Sequence, residues 1–283
     1  MVMDISELRY RTGRELDDYE TTPSLKVTKE NALERLEENK VQMAVLQDKL
    51  YAEGKAGLLL ILQGMDTSGK DSAIKHVLSG MNPQGIEVTS FKSPNVTELE
   101  HDYMWRTDRV LPPKGKVGVF NRSYYEDVLV VRVHGLVPGH GMEDRDFWKM
   151  RYRQIRNKED YLLENHIVPV KVFLHISKKE QAQRLLRRID DSKKNWKFDV
   201  SDIRERAYWE DYQKAYQEMF EDTSSKKAPW YIIPADKKWY ARLLLSEILV
   251  KELENLKPKY PQVTQQQRET LEQYRSLLEK EIQ

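Results

Sequence analysis

The chain has 283 residues, of which 39% are hydrophobic and 33% are charged, so it is long and apolar enough to bury a sizeable core. Its 47 basic and 46 acidic side chains nearly cancel, which excludes a global electrostatic field that would attract nucleic acid or a membrane. The absence of cysteine excludes disulfides, thiolate nucleophiles and cysteine-ligated zinc.

The first residues lack the basic and apolar pattern of a signal peptide, and no apolar run reaches the ~20 residues of a membrane span. We therefore expect a cytoplasmic protein. Between residues 28 and 52, apolar residues recur at helical spacing, which predicts an amphipathic helix packed on the main domain. We assign residues 1–55 to an amino-terminal helical extension of a single domain that spans residues 1–283.

Strands and helices alternate after this extension. The first predicted strand, residues 57–63, is an uninterrupted apolar run, as expected for a strand buried on both faces of a parallel sheet. Four further strands are predicted at residues 86–91, 116–120, 169–176 and 230–233. Strands separated by helix-compatible sequence form βαβ units, so the predicted fold class is α/β, a parallel sheet sandwiched by helices. Residues 258–283 are predicted to form a polar helical tail.

A phosphate loop, residues 64–71, follows the first predicted strand directly. It has the G-x-x-x-x-G-K pattern and precedes a predicted helix. The glycines let successive amides point inward and the helix N-terminus adds positive potential, so the loop forms a cradle for phosphate oxygens. Lys70 supplies a point charge and is a catalytic candidate. The other expected phosphate contacts are Gly64, Met65, Thr67, Ser68, Gly69 and Asp71. The alternative is an ordinary strand-to-helix turn.

The loop departs from the usual pattern at one position. Asp71 stands where a serine or threonine normally offers its hydroxyl to magnesium, so a metal ligand must come from elsewhere. Asp66 is the first candidate, because a carboxylate beside bound phosphates is repelled unless a divalent cation lies between them. Asp66 therefore predicts Mg²⁺ as the cofactor, with Mn²⁺ as a substitute. The alternative role of Asp66 is to cap the following helix.

A second charged segment, the 121–127 motif (Asn-Arg-Ser-Tyr-Tyr-Glu-Asp), follows the predicted strand at residues 116–120. Ligands bind at the carboxyl ends of parallel strands, so this motif should face the phosphate loop. Asp127 would complete the metal site, with Glu126 as a further metal candidate and Asn121 as a binding candidate. Arg122 would stabilise the phosphoryl group during transfer. Alternatively, the two acidic residues belong to a solvated helix start.

Aromatic and basic residues between positions 99 and 109 provide a possible base-binding surface. Tyr103, Trp105, Arg106 and Arg109 combine aromatic rings with guanidiniums, which suits base stacking and phosphate contact. Core packing of Tyr103 and Trp105 is an equally good explanation. Arg132 is a separate binding candidate that follows the 121–127 motif.

Residues 178–206, which we call the basic lid, are dense in charge and break into two helical stretches. Arginines held over the phosphate loop would close on the substrate, exclude water and neutralise a long polyanion. The alternative is a solvated helix face. A site of this kind suits phosphoryl transfer to a nucleotide, because a terminal phosphate with a pKa of ~6 is already ionised at neutral pH and needs no strong general base.

Three segments closely resemble the polyphosphate kinase 2 family: LQGMDTSGKD (residues 62–71), FNRSYYEDVLV (residues 120–130) and APWYIIPADKKWY (residues 228–240). The resemblance covers nearly the whole chain. It implies a P-loop kinase fold like that of thymidylate kinase, a helical lid, Mg²⁺, and a homodimer or homotetramer. Residues 121–123 and 126–128 resemble the class III subgroup, whose members phosphorylate nucleoside monophosphates and diphosphates from polyphosphate.

The resemblance also implies roles for individual residues. It makes Asp66 and Asp127 the metal-linked carboxylates, Lys70 the loop lysine, Arg122 a phosphate clamp, and Arg187 and Arg188 phosphate contacts of the basic lid. The expected reaction is reversible, Mg²⁺-dependent transfer from inorganic polyphosphate to AMP and ADP, with guanine nucleotides as further acceptors. Two alternatives remain open: an ATP-dependent nucleoside monophosphate kinase of the same fold, and a P-loop module that binds phosphates without turnover.

Overall fold

The computed structural model describes residues 4–24 and 26–282, and its central element is a five-stranded parallel sheet. The strand order is β2-β3-β1-β4-β5. The strands are β1 (Gly57–Gln63), β2 (Ile86–Ser90), β3 (Val117–Asn121), β4 (Ile167–His175) and β5 (Trp230–Pro234). All five predicted strands are therefore confirmed, with ends that differ by at most two residues. The parts of the predicted extension and tail on residues 1–3, 25 and 283 lie outside the described residues.

Helices cover both faces of this sheet. In chain order they are α1 (Lys29–Glu53), α2 (Lys70–Val77), α3 (Val96–Leu99), α4 (Trp105–Asp108), α5 (Val130–Val133), α6 (Arg145–Glu164), α7 (Lys178–Asp190), α8 (Val200–Glu205), α9 (Trp209–Thr223), α10 (Lys238–Asn255) and α11 (Gln265–Ile282). The basic lid consists of α7, a connection that contains the 3₁₀ turn Asn195–Lys197, and α8. None of the described helices is both long and apolar enough to cross a membrane.

The side chains of β1 alternate between two hydrophobic cores. Leu58, Leu60 and Leu62 pack with the core beneath α1, α2 and α10, whereas Leu59 and Ile61 pack with the core beneath α6 and α9. Both sets are fully buried. This two-sided burial explains why the strand reads as a continuous apolar run rather than as an alternating pattern.

The predicted amino-terminal helix is confirmed as α1. Thr28 caps its start by accepting a hydrogen bond from the Asn31 amide, and Gly54 ends it in the left-handed conformation that glycine adopts easily. Leu36, Met43 and Leu50 face the core, where α1 packs along α10. The helix therefore covers the same face of the sheet as α2, the helix that follows the phosphate loop.

The terminal helix α11 contrasts with α1, because every one of its residues is exposed. We expect a chain that ends at residue 261 to keep its fold, with a melting temperature within about 2 °C of that of the full chain. The reason is that little buried apolar surface is lost with α11. Thermal unfolding followed by circular dichroism measures this. A chain that ends at residue 237 also loses the buried α10 and should not fold. A large drop in melting temperature for the first truncation would contradict the prediction.

Candidate active site

The phosphate loop curls between β1 and α2 in the way that its sequence predicts. Gly64, Thr67 and Gly69 have positive φ angles of 149°, 64° and 112°. Gly64 is needed for a second reason, because a Cβ there would lie 2.8 Å from Ser68 Oγ and 2.9 Å from the Leu174 carbonyl oxygen. The hydroxyls of Thr67 and Ser68 are buried and have no hydrogen-bond partner among the described residues. These hydroxyls are therefore free to meet a phosphate oxygen.

Lys70 begins α2 and points back into the loop. Its ammonium donates to the Gly64 carbonyl at 2.6 Å and to the Met65 carbonyl at 3.3 Å, and the residue is only 8% exposed. Burial, followed by the charge of Arg122, lowers the pKa of Lys70 to about 8. The lysine thus places a positive charge at the centre of the loop.

Arg122 joins the 121–127 motif to the phosphate loop. It follows β3 directly and adopts a left-handed φ of 65°. Its guanidinium lies 2.5 Å from Asp66 Oδ1 and 3.0 Å from Glu126 Oε2. The charges of Glu126 and Asp66 raise the pKa of Arg122, although burial opposes them. Asn121 completes the link by donating to Asp71 Oδ1 at 2.6 Å.

The two acidic residues of the motif point in different directions. Glu126 faces Arg122, and the Gln63 amide nitrogen lies 2.9 Å from Glu126 Oε1 once the amide is oriented to satisfy both of its neighbours. The Asp127 carboxylate instead lies 3.2 Å from Arg151 of α6. Burial raises the pKa of Asp127 to about 6, and the Arg151 charge opposes this shift. Glu126 is therefore the acidic residue of the motif that shares a partner with Asp66, and the metal role of Asp127 stays a prediction.

Two adjoining cavities open at this edge of the sheet. The loop cavity, of about 790 Å³, lies between the phosphate loop and the basic lid. Among the predicted site residues, it is lined by Asp66, Thr67, Gly69, Lys70, Asp71, Asn121, Arg122, Arg187 and Arg188. The Trp105 cavity, of about 650 Å³, is lined by Trp105, Arg106 and Arg109 and shares residues 90–93 with the loop cavity. These predicted residues thus line two cavities that share part of their walls.

This arrangement can be compared with known proteins. The family model of Polyphosphate kinase 2 matches residues 26–261. An ADP-polyphosphate phosphotransferase of Rhodopseudomonas palustris is 49% identical over 257 residues, which cover 89% of each chain. An AMP/ADP-polyphosphate phosphotransferase of Meiothermus ruber is 46% identical over 87% of this chain and 90% of its own.

The chain belongs to the polyphosphate kinase 2 family. The crystal structure of polyphosphate kinase 2 from Arthrobacter aurescens TC1 superposes with a TM-score of 0.88 at 40% identity, covering 96% of this chain and 97% of that one. The predicted P-loop kinase fold and the family resemblance are therefore confirmed. The class III assignment stays a prediction.

Arg132 lies apart from the site of this polyphosphate kinase 2 chain. It is 1% exposed, and its guanidinium donates to the Met142 carbonyl and to the Tyr152 hydroxyl and pairs with Glu218 at 2.8 Å. A guanidinium engaged in this way has no donor directed at either cavity. We therefore assign Arg132 a structural role in place of the phosphate contact that its position in the sequence suggested.

Arg184 of α7 has a role at the site that its sequence position did not reveal. One of its terminal nitrogens donates to the carbonyls of Thr67 and Ser68 at 2.9 and 2.8 Å, and the residue is 5% exposed. Gln181, one turn earlier, donates to the Asp66 carbonyl at 3.1 Å. These bonds hold the outward-facing carbonyls of the loop. The pattern of residue types in the sequence does not predict such contacts, because their acceptors are main-chain atoms.

Proposed function

We propose that this protein transfers phosphoryl groups from inorganic polyphosphate to AMP and ADP in a reversible reaction. The observation that carries the proposal is the pair of joined cavities, one between the phosphate loop and a basic lid and the other lined by aromatic and guanidinium groups. The names of relatives that are 46–49% identical support these substrates. Guanine nucleotides are further proposed acceptors, and one relative that is 30% identical is named a putative GDP-polyphosphate phosphotransferase.

The loop cavity suits a polyanion that is longer than one phosphate. Beyond Lys70 and Arg122 near its floor, the basic lid adds Arg187, Arg188 and Lys194 to its wall. Arg187 is largely exposed and pairs at 2.7 Å with Glu180, which also pairs with Arg184, while Arg188 pairs with Asp202 at 2.7 Å. Several cations spread along one wall can neutralise successive phosphates of a chain. We place the polyphosphate donor here.

The Trp105 cavity suits the nucleotide acceptor. Arg109 stacks over the Trp105 ring at 4.7 Å, so a flat cationic surface lies beside the open space. Arg106 donates to the Lys92 carbonyl at 2.8 Å and packs on Phe91. The shared residues 90–93 would bring the acceptor's terminal phosphate next to the donor. Tyr103 lines neither cavity, and the Arg151 guanidinium lies over its ring at 4.3 Å.

We propose Mg²⁺ as the cofactor, with Asp66 and Glu126 as its holders and Asp127 as a third candidate. Residues 4–24 and 26–282 contain no group of three or more histidine, cysteine or acidic side chains arranged for a metal. Mg²⁺ at phosphoryl-transfer sites binds through one or two carboxylates and the substrate phosphates. Two carboxylates that both contact Arg122 beside a phosphate loop fit that mode. When bound, the ion would neutralise charge on the reacting phosphates.

The protein's own residues then act through position and charge. The loop amides and the Thr67 and Ser68 hydroxyls hold phosphate oxygens, and Lys70 adds a fixed positive charge. Arg122 is held by two carboxylates and can donate its remaining N–H groups to the phosphoryl group during transfer. The acceptor phosphate is already ionised, so no proton has to be removed. Closure of the basic lid would exclude water and so prevent hydrolysis.

The test is an acceptor screen with polyphosphate, Mg²⁺ and each of AMP, ADP, GMP and GDP. We expect AMP to give ADP and ADP to give ATP, with no turnover after the metal is removed by a chelator. Activity with ATP and TMP but none with polyphosphate would select an ATP-dependent nucleoside monophosphate kinase. Tight binding of phosphates without transfer in any pairing would select a non-catalytic P-loop module.

The assembly and location also belong to this proposal. We propose a homodimer or homotetramer, as the family resemblance suggests, and a cytoplasmic location. Sedimentation velocity of the full chain measures the assembly, and a monomer at micromolar concentration would contradict it. Fractionation of the source cells tests the location.

Replacing Arg184 tests whether its contacts shape the phosphate loop. A lysine at this position keeps the charge but cannot donate to the loop carbonyls and to Ala235 and Asp236 at the same time. We expect Arg184→Lys to lower kcat/KM by about 10- to 100-fold, because small misplacements of catalytic groups are costly. The control is Arg153→Lys on the exposed face of α6. Equal kcat/KM for both variants would contradict the role of Arg184.

A further inference from the structure

A buried ionic network lies beneath the 121–127 motif, on the face of the sheet covered by α6 and α9. Lys171 of β4 is 0% exposed, and Glu159 of α6 is 3% exposed. Their charged groups lie 2.6 Å apart. Lys171 also donates to the Thr223 carbonyl at 2.7 Å. Neither residue lines either cavity, and the proposed transfer does not use them.

The carboxylate oxygen of Glu159 that does not contact Lys171 accepts hydrogen bonds from two consecutive tyrosines of the motif. Tyr124 donates to Glu159 Oε1 at 3.2 Å, and Tyr125 donates to the same oxygen at 2.6 Å. Both rings are buried, and Tyr125 packs edge-on against Trp230 at 4.8 Å. Two adjacent side chains that bond to one atom hold the turn that carries them in a fixed position and orientation relative to α6.

Two of the proposed site residues lie in or next to that turn. Tyr124 and Tyr125 begin the 3₁₀ turn Tyr124–Val128, which contains Glu126, and Arg122 lies two residues before it. Arg122 and Glu126 are themselves paired at 3.0 Å. A shift of the tyrosine pair would therefore move the arginine and the carboxylate relative to Asp66 of the phosphate loop.

The chemistry of the network favours a positioning role over a purely stabilising one. Burying two charges costs free energy that their attraction only partly returns, so well-packed apolar residues usually stabilise such a position equally well or better. Burial lowers the pKa of Lys171, and the Glu159 charge opposes that shift. The fixed acceptor for two hydroxyls is what an apolar pair could not supply.

We propose that Glu159, held in place by Lys171, is a positioning residue that sets Arg122 and Glu126 at the active site through Tyr124 and Tyr125. The inference rests on the proposed function, because its effect is seen in the rate of phosphoryl transfer. It concerns a residue pair on α6 and β4, outside both cavities.

Two double variants separate positioning from stability. Glu159→Leu with Lys171→Met removes both charges and the acceptor, whereas Glu159→Gln with Lys171→Met removes both charges but keeps a carbonyl acceptor for the tyrosines. We expect the Leu/Met variant to lose about 10- to 100-fold in kcat with a nearly unchanged KM for the nucleotide, because the Trp105 cavity is untouched. The Gln/Met variant should retain nearly the wild-type kcat.

A third variant covers the case in which the Leu/Met chain does not fold. Tyr124→Phe with Tyr125→Phe keeps the rings and the Glu159–Lys171 pair but removes both hydroxyls, and we expect a similar loss of kcat. The matched control is Asn39→Ala with Ser246→Ala. It removes a buried polar pair, joined at 2.9 Å between α1 and α10 on the opposite face of the sheet, and should change stability but not kcat.

The outcomes distinguish this inference from the proposed function. Wild-type kcat in a folded Leu/Met variant or in the double phenylalanine variant would overturn the positioning role while leaving the function in place. An equal loss of kcat in the Leu/Met and Gln/Met variants would also overturn it, because the acceptor would then not matter. A wild-type chain without any polyphosphate-dependent transfer would overturn the function and this inference together.

Discussion

Lys70→Ala should fold normally and lose nearly all turnover. In the proposed mechanism the lysine supplies a fixed positive charge beside the transferred phosphoryl group, and losing one preorganised donor of this kind costs about 10²- to 10³-fold or more in kcat. The fold should tolerate the change, because the lost bonds to the Gly64 and Met65 carbonyls are offset by removal of a buried ammonium. Initial rates with polyphosphate and ADP measure the effect, with thermal unfolding as the test of folding.

The matched control for this prediction is Lys75→Ala. Lys75 lies on the same helix, α2, but is exposed and lines neither cavity. The two variants change the net charge equally, so a general electrostatic effect would lower both rates. Near-normal turnover in Lys70→Ala would show that the phosphate loop does not act through its lysine.

Asp66→Asn should cause a loss of similar or greater size, with a different signature. Asp66 is the phosphate-loop carboxylate that pairs with Arg122, at 2.5 Å. Removing its charge weakens the binding of a divalent cation at this point. A loss of several kcal/mol of transition-state stabilisation lowers the rate by about 10³-fold. We expect both a lower kcat and a higher Mg²⁺ concentration at half-maximal rate. Asp211→Asn, on the exposed start of α9, is the control.

Magnesium titrations also decide which acidic residue of the 121–127 motif assists Asp66. Glu126→Gln should raise the Mg²⁺ requirement, because Glu126 shares Arg122 with Asp66. Asp127→Asn should fold and lower kcat by about 10²-fold or more if it holds the metal as predicted from the resemblance. A near-normal rate and an unchanged Mg²⁺ requirement in Asp127→Asn would remove Asp127 from the site. The same result in Asp66→Asn would remove the metal from the phosphate loop.

The sequence was most informative where local patterns have one physical cause. An apolar run with no alternation requires burial on both faces, and β1 has that burial. Two spaced glycines that precede a lysine between a strand and a helix require a curled loop, and Gly64 and Gly69 have the positive φ angles that such a loop needs. These features depend on neighbouring residues, so they can be predicted without knowledge of the tertiary structure.

Side-chain direction within the 121–127 motif could not be predicted in the same way. The segment Tyr124–Val128 is a 3₁₀ turn, in which successive side chains point about 120° apart. Glu126 therefore faces Arg122 while Asp127 faces Arg151, although the two acids are adjacent in sequence. Arg132 gave a similar ambiguity, because an arginine near a motif can serve a cavity or a core.

By itself, the sequence determined which strands and helices follow one another along the chain, where the phosphate loop lies, and the family to which the chain belongs. Only the tertiary structure decided which carboxylate shares a partner with Asp66, which arginine holds the loop, and that Glu159 and Lys171 lie beneath the motif. The physical reason is range. Backbone conformation and burial follow from periodicity over a few residues. In contrast, Glu159 and Lys171 are 12 positions apart and Arg184 and Thr67 are 117 positions apart, so their contacts depend on how helices pack on the sheet.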